Sequence, residues 1–100
     1  MLRQFFLGFI KIHILYHAAE GPVYGAELMR ELARHGYDLS SGTLYPTLHR
    51  LRDQGYLAQK ALVVGGRVRK YYTITEKGQE ALAQARPKIK ELMHEVLDGR

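Results

Sequence analysis

Leu57-Ala-Gln-Lys60-Ala-Leu-Val-Val64-Gly65-Gly66-Arg67-Val-Arg69-Lys70-Tyr71-Tyr72-Thr-Ile74-Thr75 is the stretch that decides the fold. Two runs rich in Val, Tyr, Thr and Ile flank a Gly-Gly pair. That is the signal of a β-hairpin, because both central residues of a two-residue turn need positive φ and glycine supplies it at no steric cost. Upstream the spacing is helical throughout. Residues 2–20 carry Leu2, Phe5, Phe6, Phe9, Ile10, His13 and Tyr16 or His17 at i, i+3, i+4, i+7 spacing, with Gly21-Pro22 as the stop. Residues 24–35 form a second helix with Leu28, Leu32 and Ala33 inward, and Gly36 stands where a left-handed C-terminal residue belongs. A third helix runs from about Thr43 to Gln54, with Ser40 or Ser41 as N-cap, and Gly55 ends it. Pro46 lies in or just past its first turn and removes at most one backbone hydrogen bond.

Downstream of the hairpin the helical period returns from Glu76 to about Leu97, with Thr75 as a possible N-cap. Leu82, Ala85, Ile89, Leu92 and Val96 step by alternating threes and fours, a short heptad seam. Pro87 is expected to kink or split this helix near Gln84–Arg86. Three helices followed by a hairpin are a winged helix-turn-helix, a mainly α fold with a small β-hairpin, here extended by a C-terminal dimerisation helix. The division expected is residues 1–75 for the winged helix-turn-helix and 76–100 for the dimerisation helix.

Composition places limits on what this fold can do. The chain has 100 residues, 46% of them hydrophobic and 25% charged, enough for one core and not for two. It has no cysteine, hence no disulfide framework, thiolate metal site or Cys nucleophile, which fits a cytoplasmic protein. Lys11, His13 and His17 interrupt the apolar N-terminal run, leaving it too short for a bilayer, so no membrane role is expected.

The net charge of +5 is local. Residues 1–49 and 71–100 are each neutral, whereas residues 50–70 hold Arg50, Arg52, Lys60, Arg67, Arg69 and Lys70 against Asp53 alone. Such a segment points to a polyanionic partner. The third helix divides by face. Leu44, Leu48 and Leu51 fall inward, while Thr43, Pro46, Thr47 and Arg50 lie outward, with Ser41 and Gly42 at the N-terminal end. Hydroxyls and helix N-terminal amides bond phosphate oxygens, and Arg50 reaches a phosphate or a guanine edge. Lys60, Arg67, Arg69 and Lys70 cluster around the hairpin tip, from which a wing can hold adjacent backbone or enter a minor groove. The first helix is apolar on more than one side (Leu7, Ile12, Ile14 and Leu15 lie off its main stripe), more than so small a domain can bury. A second chain accounts for the surplus.

Tyr24-Gly25 with Glu27-Leu28, then Gly42-Thr43-Leu44-Tyr45-Pro46 with Leu48, Arg50-Leu51 and Gly55-Tyr56-Leu57, and finally Gly66–Thr75 followed by Gly78, resemble the PadR family of bacterial transcriptional regulators. The similarity spans residues 24–78, and its short branch has a single C-terminal helix. The resemblance implies a homodimeric repressor that binds a palindromic double-stranded DNA operator and is released by a small-molecule effector. It places Thr43, Tyr45 and Pro46 on the recognition helix and Arg67, Arg69 and Lys70 on the wing. It also puts the dimer interface on the first and last helices, here Phe5, Phe6, Phe9, Leu82, Ile89, Leu92 and Val96. An effector cavity lined by Phe5, Phe9, Leu92 or Val96 is the corresponding expectation.

Other chemistry is weakly represented. His13 and His17 stand at i, i+4, a spacing that can share a metal ion, but no third ligand is evident nearby and His94 could approach only through the last helix. No metal and no cofactor are therefore expected. Ser41, His49 and Asp53 lack the strand-turn elbow of a nucleophilic serine, and Gly65-Gly66 lacks the Lys-Ser/Thr of a phosphate loop, so no enzyme is expected. The competing function is a winged-helix interaction module that binds a protein partner without reading DNA.

Overall fold

The computed structural model describes residues 1–99. Its elements are α1 (Leu2–Glu20), β1 (Val23–Tyr24), α2 (Gly25–Arg34), α3 (Ser41–Asp53), β2 (Leu57–Val64), β3 (Arg67–Ile74) and α4 (Glu76–Asp98). The hairpin forms as expected, with Gly65 at φ 58° and Gly66 at φ 78°, the two left-handed residues of a type I′ turn. Its register pairs Val64 with Arg67 at the tip and Leu57 with Ile74 at the base. β1 was not legible in the sequence. Its two residues pair Val23 with Tyr72 and Tyr24 with Tyr71, giving a three-stranded antiparallel sheet in the order β1-β3-β2.

One core joins the elements. Ile10, Ile14, Leu15 and Ala18 of α1 meet Leu28 and Leu32 of α2, Leu44, Leu48 and Leu51 of α3, Leu57 and Tyr72 of the sheet, and Leu82 of α4. Three expectations need correction. The buried face of α1 is built on Ile14 and Leu15, residues off the stripe read from the sequence, while Phe5 and Phe6 at its head are exposed. Periodicity finds a stripe but cannot say which of two apolar faces meets the domain's own core. Ala33 is exposed rather than inward. Pro87 does not divide α4, which runs unbroken from Glu76 to Asp98. The proline sits on an exposed part of the helix, so the Ala83 carbonyl it leaves unpaired lies where water reaches it.

The joints around the hairpin are hydrogen-bonded. Thr75 caps α4, its Oγ1 accepting from the Gly78 amide at 3.1 Å, as its position after β3 led one to expect. The same hydroxyl donates to the Gly55 carbonyl at 2.6 Å, just beyond the end of α3. Lys77 Nζ adds a bond to the Gln54 carbonyl at 2.6 Å and lies 4.6 Å from the centre of the Tyr56 ring. The end of α3, the base of the wing and the start of α4 are therefore fastened at one point.

Candidate nucleic-acid interface

α3 presents two chemically distinct faces. Leu44, Leu48 and Leu51 are buried, and Ser41, Gly42, Tyr45, Pro46 and Arg50 are exposed, with Thr43 half-buried. Thr47 departs from the sequence expectation: its side chain is 0% exposed, and its Oγ1 donates to the Thr43 carbonyl at 2.8 Å. Positions 44, 47, 48 and 51 make one i, i+3, i+4, i+7 stripe, so the same period that buries the leucines buries Thr47. A hydroxyl satisfied by the preceding turn is compatible with that stripe. Thr47 is thus withdrawn from the outer face, and Pro46 costs only the bond to the Gly42 carbonyl at an exposed helix start.

The wing is exposed from Lys60 through Lys70. Alternation along β2 and β3, combined with the register, puts Lys60, Arg67 and Arg69 on one face and Lys70 on the other, the face that carries Tyr72 into the core. The cations thus flank the ribbon. Among the described residues none of Arg50, Lys60, Arg67, Arg69 and Lys70 forms an ion pair, whereas Arg52 is held by Asp53 at 3.0 Å and by the Gln59 side chain. Arg52 ties α3 to β2, and the free positive charge lies on its neighbours.

Residues that escaped the sequence reading support this surface. The Arg69 guanidinium lies 4.2 Å from the centre of the Tyr24 ring, which in turn packs edge-on against Tyr71 at 5.5 Å and accepts a hydrogen bond from Arg30 at 3.2 Å. Arg69 is thus poised by a cation–π contact. The signal for it was the unread strand β1, since only the pairing of Tyr24 with Tyr71 brings that ring under Arg69. Tyr45 packs directly on Gly25, where a Cβ would lie 2.6 Å from its ring carbons. A cleft of about 330 Å³, lined by Tyr24, Gly25, Tyr45, Val68, Arg69 and Lys70, brings α3 and the wing together.

A protein-family model described as the transcriptional regulator PadR-like family matches residues 14–84. The chain belongs to that family. This PadR-like chain is 48% identical over 99 residues to transcriptional regulator Rv3488 of Mycobacterium tuberculosis, covering 99% of the chain and 92% of that relative. Among solved structures it is similar to a PadR family transcriptional regulator from Eggerthella lenta, with TM-score 0.83 and 33% identity over 98% of this chain and 87% of the other. It is likewise similar to a PadR-like transcription factor from Bacteroides fragilis, with TM-score 0.83 and 28% identity over 98% and 96% of the two chains. Fold and family therefore stand as expected, and the chain is a PadR-like transcriptional regulator with a winged helix.

The residues assigned to dimerisation divide between two settings. Leu82 is buried in the protomer's own core. Ile89, Leu92 and Val96 on α4, and Phe5 and Phe6 on α1, are exposed, with Phe9 half-buried beside Phe5. The heptad seam thus starts inside the domain and runs out onto its surface. In a single chain Phe5, Leu92 and Val96 are exposed, so a cavity among them and Phe9 requires a second copy. No helix among the described residues is long and apolar enough to cross a membrane.

Proposed function

We propose that this PadR-like chain is a repressor that reads a palindromic DNA operator as a two-fold homodimer and is released by a small-molecule effector. The observation that carries the reading is the cleft where Tyr45 of α3 faces Arg69 and Lys70 of the wing. It sets the outer face of α3, small and polar at its start in Ser41, Gly42 and Thr43, beside unpaired cations, the pairing that a groove flanked by phosphates requires. Ser41, Gly42, Thr43, Tyr45, Pro46 and Arg50 line the major groove in this account. Lys60, Arg67, Arg69 and Lys70 neutralise flanking phosphates or enter the minor groove.

Dimerisation through the exposed seam of α4 and the head of α1 gives Ile89, Leu92, Val96, Phe5 and Phe6 an apolar partner. It sets the recognition helices about 34 Å apart, one turn of duplex. A cavity between the paired helices, near Phe5, Phe9, Leu92 and Val96, is where the effector would act. The test is a titration against the duplex upstream of the chain's own gene. Binding tighter than to a scrambled duplex, and lost in Arg67→Ala/Arg69→Ala, supports the reading. Equal binding to both duplexes overturns it and leaves the protein-interaction module.

A further inference from the structure

We propose that His13, His17 and His35 form a binding site for a divalent transition cation, with zinc as its representative. The sequence offered only the i, i+4 pair on α1. The third ligand arrives through the fold: His35 caps the C-terminal end of α2, α2 packs against α1, and the His35 ring stacks on that of His13 at 5.1 Å. This corrects the expectation that no third ligand lies near. A helix end brought alongside another helix has no signature in residue spacing.

One nitrogen from each ring lies within 4.8 Å of the others. Zinc–nitrogen bonds of about 2.0–2.1 Å set three ligand rings about 5.2 Å apart, centre to centre, in a tetrahedral site. His13 and His35 already stand at 5.1 Å, while His17 is 6.5 Å from His13 and 6.3 Å from His35. Closing the site takes a movement of about 1 Å by the His17 ring, the one distant from both partners, which a small side-chain rotation supplies.

A second, independent observation points the same way. His17 Nε2 is buried and has no hydrogen-bond partner among the described residues. Such an atom costs free energy unless something binds it, and an unfilled coordination bond is one account of why it is tolerated. Burial first, then the neighbouring His35 and His17, hold His13 below its ordinary pKa, which favours the neutral imidazole that a metal ligates.

The surroundings fit a cation on one side and oppose it on the other. Glu20, Glu27 and Glu31 line the groove across His17, while Arg86 borders the apolar pocket of about 300 Å³ beside the three rings. Three neutral imidazoles suit zinc, copper or nickel over calcium or magnesium, which prefer oxygen. A metal here fastens α1 to the C-terminal end of α2, the first helix of the helix-turn-helix.

The test is zinc binding by tag-free full-length protein at pH 7.5, without DNA, by calorimetry and by competition with a chromophoric chelator. Cobalt in place of zinc reports geometry through its visible absorption. The expected result is about one zinc per chain with Kd near or below about 1 μM, and tetrahedral cobalt bands. His35→Ala and His17→Gln should each weaken binding by more than the 10–100-fold that outer-shell partners cost. His49→Ala and His94→Ala should bind as the parent does. Circular dichroism of the metal-free variants establishes that they are folded; His35 is exposed, so its replacement keeps the fold even if that of His17 does not. Parent binding weaker than about 100 μM, or unchanged affinity in folded His35→Ala, overturns the site. Because no DNA is present, either result is independent of operator binding.

Discussion

Replacing Thr75 by valine removes one hydroxyl and keeps the shape. That hydroxyl accepts from the Gly78 amide at 3.1 Å and donates to the Gly55 carbonyl at 2.6 Å. Losing the N-cap costs about 1 kcal/mol, and losing the second hydrogen bond costs about 1 kcal/mol more, because Gly55 is half-buried and water replaces the donor only in part. The expected loss is about 2 kcal/mol, or roughly 8–16 °C in Tm for a chain of this length. Urea and thermal unfolding at one fixed protein concentration measure it, since association raises apparent stability. Two further variants separate the terms. Thr75→Ser keeps both bonds and should fall within about 0.5 kcal/mol of the parent, while Thr75→Asp keeps the cap but cannot donate, so it should lose about half as much as valine. Thr75→Val unfolding within 0.5 kcal/mol of the parent, or Thr75→Ser falling as far as valine, would refute a joint in which one hydroxyl holds α3, the wing and α4 together.

Three more outcomes test other parts of the account. Thr47→Val should leave DNA affinity within about twofold of the parent, whereas Arg50→Ala should lower it by about 1–3 kcal/mol if Arg50 reads a guanine edge; equal losses in an anisotropy titration would return Thr47 to the interface. With EDTA present, stability should be full above the ordinary histidine value of 6.5 and fall as pH drops below it, because His13, held below that value, takes up its proton later in the folded chain than in the unfolded one. His17, His35, Tyr37 and Arg86 surround it, and His13→Gln should flatten that slope in urea melts taken from pH 7.5 to 5.5. Val96→Asp should shift the chain from dimer to monomer by sedimentation, since the exposed end of the seam has no other apolar cover; an unchanged dimer would place the interface elsewhere.

Local chemistry made much of this legible. Gly65-Gly66 named the hairpin, Thr75 the cap, and the leucine period the buried face of α3, because each depends on backbone conformation or helical geometry alone. What escaped depended on tertiary contact. β1 is two residues long and exists only because β3 lies beside it. Its absence from the sequence reading hid Tyr24 beneath Arg69. His35 is far from His13 in sequence, and the packing of α2 against α1 brings it there. Thr47 differs: the helical period already placed it with Leu44, Leu48 and Leu51, and its hydroxyl drew it to the wrong face. The basic segment identified the partner's charge from composition, and the register then showed Lys60, Arg67 and Arg69 on one face of the ribbon and Lys70 on the other.

The central claim is that α3 and the wing bind duplex DNA through phosphate neutralisation by specific cations. Its most direct test is the salt dependence of binding to the chain's own upstream duplex, for the parent and Arg67→Ala/Arg69→Ala. Each phosphate neutralised contributes about 0.9 to the slope of log K against log salt. Removing both cations from both wings of a dimer should therefore flatten the slope by about 3.6. A slope that stays unchanged while the duplex still binds would contradict the wing's assignment, and the absence of any salt-dependent binding would contradict the account as a whole.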